Sequence, residues 1–377
     1  MAVTRNLWHH AYVNIRRRLL LIFVALLATE RAASSHELQS VGVAPIVAVI
    51  TDRSGTGEVA GGGVEADFAA WLAGFRAAEL SKGVPATALD TVLKGLHYSS
   101  RVVELDRAQP DDSGRTASFA DYVDLRVEPV RISRGDAVRG SLTTEFAANE
   151  RSTGVPAAIV LGIWGMESSF GAVTGNFDVP RSLATLAFDG RRRDLFTHEL
   201  EATVSIVARG LIERDRLTGS WAGAMGQPQF LPSSYLKFAR DADHDGRVDI
   251  WNSRADVALS IATYLGEGGW QRGQGWGLSI IVPPGFDRDS VRNIVLPTTC
   301  VRVYAKHSRW LAIGDWRRLG FVSATGWPDD RTLATLVEPD GPAGRAFLTF
   351  GNFRVLLGYN CSNFYALSVG LLGDAIH

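Results

Sequence analysis

The sequence predicts a mainly α protein with a small β subdomain, an α+β class, and three observations carry that prediction. Apolar residues recur at helical spacing in the first half of the chain, at Phe68, Trp71, Leu72 and Phe75 and again at Leu89, Val92 and Leu96. A strongly apolar helix follows Pro156, with Ile159, Ile163 and Met166 on adjacent turns. Beyond Gly277 the pattern changes to short alternating runs, Val301 to Tyr304 and Ala346 to Phe350, separated by prolines and glycines. The length of 377 residues allows one or two large domains with a buried core. Hydrophobic residues at 46% and charged residues at 21% exclude a largely disordered chain and a multispan membrane protein. With 39 Lys+Arg against 40 Asp+Glu the net charge is −1, so no basic field recruits nucleic acid and a neutral or locally charged partner fits better.

Taken in order, residues 1–35 read as a signal peptide. Arg16, Arg17 and Arg18 precede an apolar run from Leu19 to Ala28, too short for a membrane span of about 20 residues, and small residues follow at Ala32 to Ser35. An uncleaved anchor is the alternative. No Cys lies there to take a lipid, so an exported, periplasmic protein is expected. Residues 36–66, rich in glycine, read as a linker, and 67–150 as an N-terminal helical region interrupted by a polar loop at Asp111 to Gly114. A core domain is expected over 151–278, a small β subdomain over 279–350, and a C-terminal helix over 351–377 that returns to the core. Cys300 and Cys361 are the two cysteines, and an oxidising compartment would allow them to pair.

The segment from Gly154 to Gly171 carries the most chemistry. Ser152 or Thr153 can cap its helix, and Glu167 is the one charged residue in it. A carboxylate there must be exposed, paired, or held where its charged form is disfavoured, and the last option makes a general acid. The Ser-Ser-Phe-Gly that follows predicts a helix break opening a cleft.

Three blocks together resemble the B-type lytic murein transglycosylases: Gly165 to Gly171 around Glu167, Ala222 to Tyr235, and Tyr359 to Ala366, in matching order and spacing. The resemblance runs from about Phe68 to the C-terminus. It implies a lysozyme-like catalytic core that cleaves peptidoglycan glycan strands without water and leaves 1,6-anhydromuramic acid ends. It also implies Glu167 as acid and then base, no cofactor for catalysis, a monomer, and partners among cell-wall synthesis or remodelling proteins. By the same resemblance Ser220 and Gln229 match cleft positions, and Arg191 and Arg192 match a pair that could meet substrate carboxylates. Tyr264, Tyr359, Asn360 and Tyr365 would line the cleft. Physical chemistry agrees that a glycosidic bond needs a proton on its leaving oxygen. A hydrolase would add a second carboxylate, and Asp178, Asp189 and Asp194 keep that alternative open, as does a noncatalytic, calcium-stabilised cell-wall binding protein.

Asp241 to Asn252 reads as an EF-hand-like loop. Asp241, Asp243, Asp245 and Asp249 fall at positions 1, 3, 5 and 9, the Arg247 carbonyl at 7 and Gly246 at 6. Asn252 replaces the usual bidentate Glu at 12, which predicts a weak structural Ca2+ site. Ser253 with Asp256 would cap the following helix.

Overall fold

The computed structural model describes residues 62–109, 118–295 and 297–377. The expected signal segment, the Val41 to Ile50 stretch and the loop at Asp111 to Gly114 lie outside the described residues. Helix α1 (Gly62–Ser81) starts inside the stretch expected as linker and stacks Trp71 against Phe68 and Phe75. It is followed by α2 (Ala86–Leu93) and α3 (Ser100–Arg107), with Leu89 and Val92 fully buried. Ser99 caps α3 and Ser118 caps α4 (Phe119–Asp124), each hydroxyl accepting a free first-turn N–H. Helices α5 (Pro129–Ser141) and α6 (Thr143–Thr153) lead into α7 (Ala157–Ser168). The expected cap at Ser152 or Thr153 belongs instead to the last turn of α6, which Gly154 closes at φ 79°, and Pro156 is the residue that opens α7. Gly can take that left-handed conformation without a Cβ clash, so α7 starts afresh in a new direction.

Helix α7 is apolar all round because it is enclosed all round: Val160, Leu161, Ile163 and Trp164 have no exposed surface. Beyond it come β1 (Phe177–Asp178), α8 (Val179–Asp189), α9 (Arg193–Ala208) and β2 (Thr218–Gly219), which pairs antiparallel with β1. Helices α10 (Pro232–Phe238) and α11 (Arg254–Glu267) flank the acidic loop. Ser253 Oγ accepts the Asp256 N–H as the sequence predicts.

The β subdomain is a five-stranded antiparallel sheet. Its strands are β3 (Gly277–Ile281), β4 (Leu311–Ala312), β5 (Val322–Ser323), β6 (Leu333–Val337) and β7 (Ala346–Thr349), in the order β4-β6-β7-β3-β5. A separate apolar cluster of Ile280, Ile313, Trp316, Phe321, Leu336 and Leu348 holds it together. Val301 to Tyr304, expected as a strand, is a short helix, α12 (Val301–Tyr304). Four alternating residues are too few to distinguish the two, and Cys300, at φ 53°, turns the chain into a helical turn. Cys300 is disulfide-bonded to Cys361. Helix α13 (Ile313–Arg318) packs within the subdomain.

The chain then returns to the core as two helices rather than the single one expected, α14 (Gly351–Tyr359) and α15 (Asn363–Ala375), bent by 112°. Among the described residues no single helix is long and apolar enough to cross a membrane. Glycines let α15 lie directly on α7: a Cβ at Gly162 would sit 2.3 Å from the Val369 carbonyl oxygen, and one at Gly373 would sit 2.5 Å from that of Ala158. That close contact fixes the position of everything at the C-terminal end of α7.

Candidate active site

Helix α7 ends at Ser168, and Ser169, Phe170 and Gly171 follow with φ of 51°, 60° and 84°. Glu167 is therefore the last long side chain before the chain turns away, yet it is only 1% exposed. Its Oε1 accepts a hydrogen bond from the Tyr365 hydroxyl at 2.5 Å. Its Oε2 has no partner. Burial raises the carboxyl well above its ordinary range, and the Tyr365 bond only partly opposes that shift. Tyr365 stands in the first turn of α15, which Ser362 caps. Burial keeps the Tyr365 phenol protonated and thus a donor.

A second buried glutamate, Glu199, also has a raised pKa through burial, but both of its oxygens accept hydrogen bonds from Ser233, at 2.7 and 2.9 Å. Glu199 braces the start of α10, whereas Glu167 keeps a free oxygen. Of the other carboxylates near in sequence, Asp178 caps α8 and pairs with Arg214 at 2.7 Å, and Asp189 pairs with Arg107 at 2.6 Å. Asp194 lies in the first turn of α9. Among the described residues the Tyr365 hydroxyl is the hydrogen-bond partner of the Glu167 carboxyl, and none of these carboxylates is bonded to it.

The segment 218–230 is pinned by short backbone links. Ser220 N–H donates to the Ala224 carbonyl at 2.8 Å, Ser220 Oγ accepts the Ala224 N–H at 3.0 Å, and Met225 pairs with Phe230. Gln229 takes a left-handed φ of 54° and donates to the carbonyls of Gly226 and Thr174 at 2.8 and 3.0 Å, leaving Oε1 without a partner. Tyr359 donates to the Pro228 carbonyl at 2.6 Å, which sets the end of α14 beside Gln229. The next residue, Asn360, is buried and its Oδ1 is also unpartnered. The unpartnered Oε2 of Glu167 is the oxygen left to carry the retained proton, while Gln229 and Asn360 each hold an acceptor oxygen without a donor. Such groups are costly to bury unless a donor arrives, and hydroxyl and acetamido groups supply donors.

Tyr264 donates to the Gly358 carbonyl at 2.9 Å and its ring lies 4.6 Å from that of Tyr359. Burial pushes its phenol up to about 12, and the Glu167 charge adds to the effect. Burial likewise raises Tyr122, Tyr359 and Tyr365, and of these Tyr365 is the one hydrogen-bonded to the acid. Tyr122 was not foreseen. It comes from a short mixed helix far upstream, brought to α15 by the edge contacts of Phe119 and Tyr122 with Phe364, at 5.3 and 5.6 Å.

Arg191 and Arg192, expected as a pair that could meet substrate carboxylates, are ion-paired within the protein. Both bond the buried Asp106 of α3, at 2.7 and 2.5 Å, and Arg191 also donates to Gln109. Two guanidiniums around one desolvated carboxylate brace the α8–α9 turn against α3.

The acidic loop gathers a set other than the one read from spacing. Asp241, Asp243 and Asp256 place one oxygen each within 4.8 Å of one another. Asp249 pairs instead with Arg216 at 2.7 Å and with Asn252, so the ninth and twelfth positions bond each other. Asp245 accepts the Arg247 N–H at 2.7 Å. Asp241 Oδ1 is buried without a partner, and an all-oxygen donor set suits a hard cation.

Residues 67–374 match the family model described as Transglycosylase SLT domain. The membrane-bound lytic murein transglycosylase B of Escherichia coli strain K12 is 32% identical over 238 residues, covering 59% of this chain and 57% of that protein. The match thus spans little more than half of that relative. Among solved structures, SltB3 of Pseudomonas aeruginosa, in complex with NAG-NAM-pentapeptide, is 37% identical with a TM-score of 0.73, over 81% of this chain and 79% of that one. Escherichia coli Slt35, in complex with calcium, is 25% identical with a TM-score of 0.66, over 81% and 91%. With the family model spanning α1 to α15 and the fold shared with these structures, the chain belongs to the transglycosylase SLT family of lytic transglycosylases.

Proposed function

We propose that the protein is a lytic transglycosylase that cleaves the β-1,4 bond between N-acetylmuramic acid and N-acetylglucosamine in peptidoglycan, as an exported periplasmic enzyme. The observation that carries this reading is Glu167, enclosed by apolar helix and tyrosines, with one oxygen held by Tyr365 and the other free. The protonated carboxyl gives its proton to the glycosidic oxygen as the bond to the anomeric carbon breaks and positive charge develops there. The resulting carboxylate then takes the proton of the C6 hydroxyl, whose oxygen closes on the anomeric carbon to form the 1,6-anhydro ring. No water enters and Glu167 ends protonated. Tyr365 fits both halves, because its donor steadies the carboxylate formed midway. Gln229 and Asn360 would accept from substrate donors, with Ser220, Tyr264 and Tyr359 shaping the cleft. Incubating the protein with purified peptidoglycan and weighing the products tests this, since an anhydro end lacks one water relative to a hydrolysed one.

The acidic loop would hold Ca2+ through Asp241, Asp243 and Asp256, for stability and not for chemistry. The calcium complex of the Slt35 relative supports this reading. Thermal melting with calcium, magnesium and chelator tests it.

A further inference from the structure

The first turn of α15 carries Tyr365, yet the close backbone approaches that seat α15 on α7 lie further along, at Val369 and Gly373. Only residues 360–362 join this turn to α14, across the 112° bend. Two further ties come from the β subdomain. Cys361, two residues before Asn363, is bonded to Cys300. His307, between α12 and β4, reaches Asn363 itself, its Nε2 lying 2.8 Å from Asn363 Oδ1. An amide oxygen cannot donate, so Nε2 carries the proton. Burial pushes the imidazole pKa down to about 4, and Arg354, stacked over the Tyr304 ring at 3.9 Å, adds to that effect. The ring is therefore neutral, and its Nδ1 accepts from the Thr335 hydroxyl of β6 at 3.2 Å. Thr335 Oγ1 lies 2.9 Å from Thr349 Oγ1 of β7, and Asn363 Nδ2 donates to the Val303 carbonyl of α12 at 3.4 Å. His307, Thr335, Thr349 and Asn363 are all buried. The His307 backbone is fixed as well, bridging Val337 of β6, with the Ser308 N–H donating to the Leu336 carbonyl at 3.0 Å.

We propose that His307 is a positioning residue for the reaction: through Asn363 it sets the first turn of α15, and with it the Tyr365 hydroxyl against Glu167. The proposal rests on the transglycosylase reading and goes beyond it by giving the β subdomain a part in catalysis. Asn363 and Tyr365 are the first and third residues of α15, so moving one moves the other with the turn. The bonds run in one direction, from the Thr335 hydroxyl to Nδ1 and from Nε2–H to Asn363, and a buried network satisfied in this way admits one geometry. Breaking it leaves Asn363 Oδ1 buried without a donor. A misplacement of about 1 Å at a reacting group costs on the order of 10²-fold in rate, so a brace at this distance is felt at Glu167.

The test is a double-substitution cycle assayed on purified peptidoglycan. Tyr365→Phe, which removes the hydroxyl on Glu167, should lower kcat about tenfold or more. His307→Asn places its amide near the ring Nδ1 and falls short of Asn363, so it should lower kcat about tenfold with KM little changed. In the Tyr365→Phe background the same change should cost no more than about twofold, because the bond it acts through is already gone. His307→Gln sets an N–H donor near the place of Nε2 and should restore most of kcat. Should His307→Asn not fold, Asn363→Ala breaks the same bond with the imidazole kept and takes its place in the cycle. The pH profile gives a second reading. The Tyr365 bond lowers the Glu167 pKa, so the alkaline limb of kcat should move to higher pH with His307→Asn and with Tyr365→Phe, and no further in the double variant. Full additivity in the cycle, an alkaline limb that stays in place, or equal losses from Asn and Gln would each overturn the proposal and leave the transglycosylase reading intact. No cleavage by folded wild-type protein would overturn both.

Discussion

Glu167 and the aspartates of the 241–256 loop are both carboxylate sites, and they solve opposite problems. Glu167 is a single acid walled by α7, α15 and tyrosines, where burial favours keeping the proton. The loop is a cluster whose oxygens accept backbone N–H groups, from Gly246 on Asp241 and from Ala242 and Asp249 on Asp256, and three of those carboxylates converge. One environment suits a proton donor and the other would suit a cation. Burial and convergence, rather than residue type, decide which role a carboxylate takes.

The sharpest way to break this contrast is to exchange the acid for its amide. Glu167→Gln should lower the cleavage rate by about 10² to 10⁴, because shape is kept and the transferable proton is lost. Its folded stability should hold or rise, which melting curves will show. Asp241→Ala should do the reverse, leaving the proton chemistry and removing any gain from calcium. For wild-type protein that gain should reach about 2.7 kcal/mol at a hundredfold excess over Kd, with magnesium a poor substitute. Identical melting points in calcium, magnesium and chelator would reduce the loop to an acidic turn.

Gly162→Ala probes what holds the pocket together. The new methyl would meet the Val369 carbonyl oxygen, so α15 must shift and take Tyr365 with it. Overpacking of this kind costs about 1 to 3 kcal/mol, and activity should fall more than stability predicts.

The smallest effect is a pH dependence. The folded pKa of Glu167 lies above its unfolded value near 4.5, so its contribution is fully present below that value and is lost as pH rises towards the folded pKa. Wild-type protein should therefore lose stability relative to Glu167→Gln as pH rises from about 4.5, and the two should converge below it. A constant difference across pH 4 to 8, measured by thermal melts, would show that burial does not retain the proton.

What was legible in the sequence follows the same physics. A lone glutamate in an apolar helix is visible as a pattern, and so are the helical stripes, the change to short strands and the Ser253 cap. Partners fixed by packing are not. Tyr122 meets Phe364 of α15 only because α4 is laid against that helix, and Asp106 captures Arg191 and Arg192 from another helix. Asp256 looked like a capping residue alone, since loop spacing stops at Asn252, but the turn at Asp249 folds it back towards Asp241. The α14–α15 bend and the Cys300–Cys361 bridge likewise depend on distant segments meeting.

The central claim is that one buried acid breaks the glycosidic bond and closes the anhydro ring without water. Mass analysis of products released from purified peptidoglycan tests it most directly. Muropeptides lighter by one water than their hydrolysed counterparts, and absent with Glu167→Gln, are the predicted result. Products bearing only reducing ends would contradict it and make the protein a hydrolase.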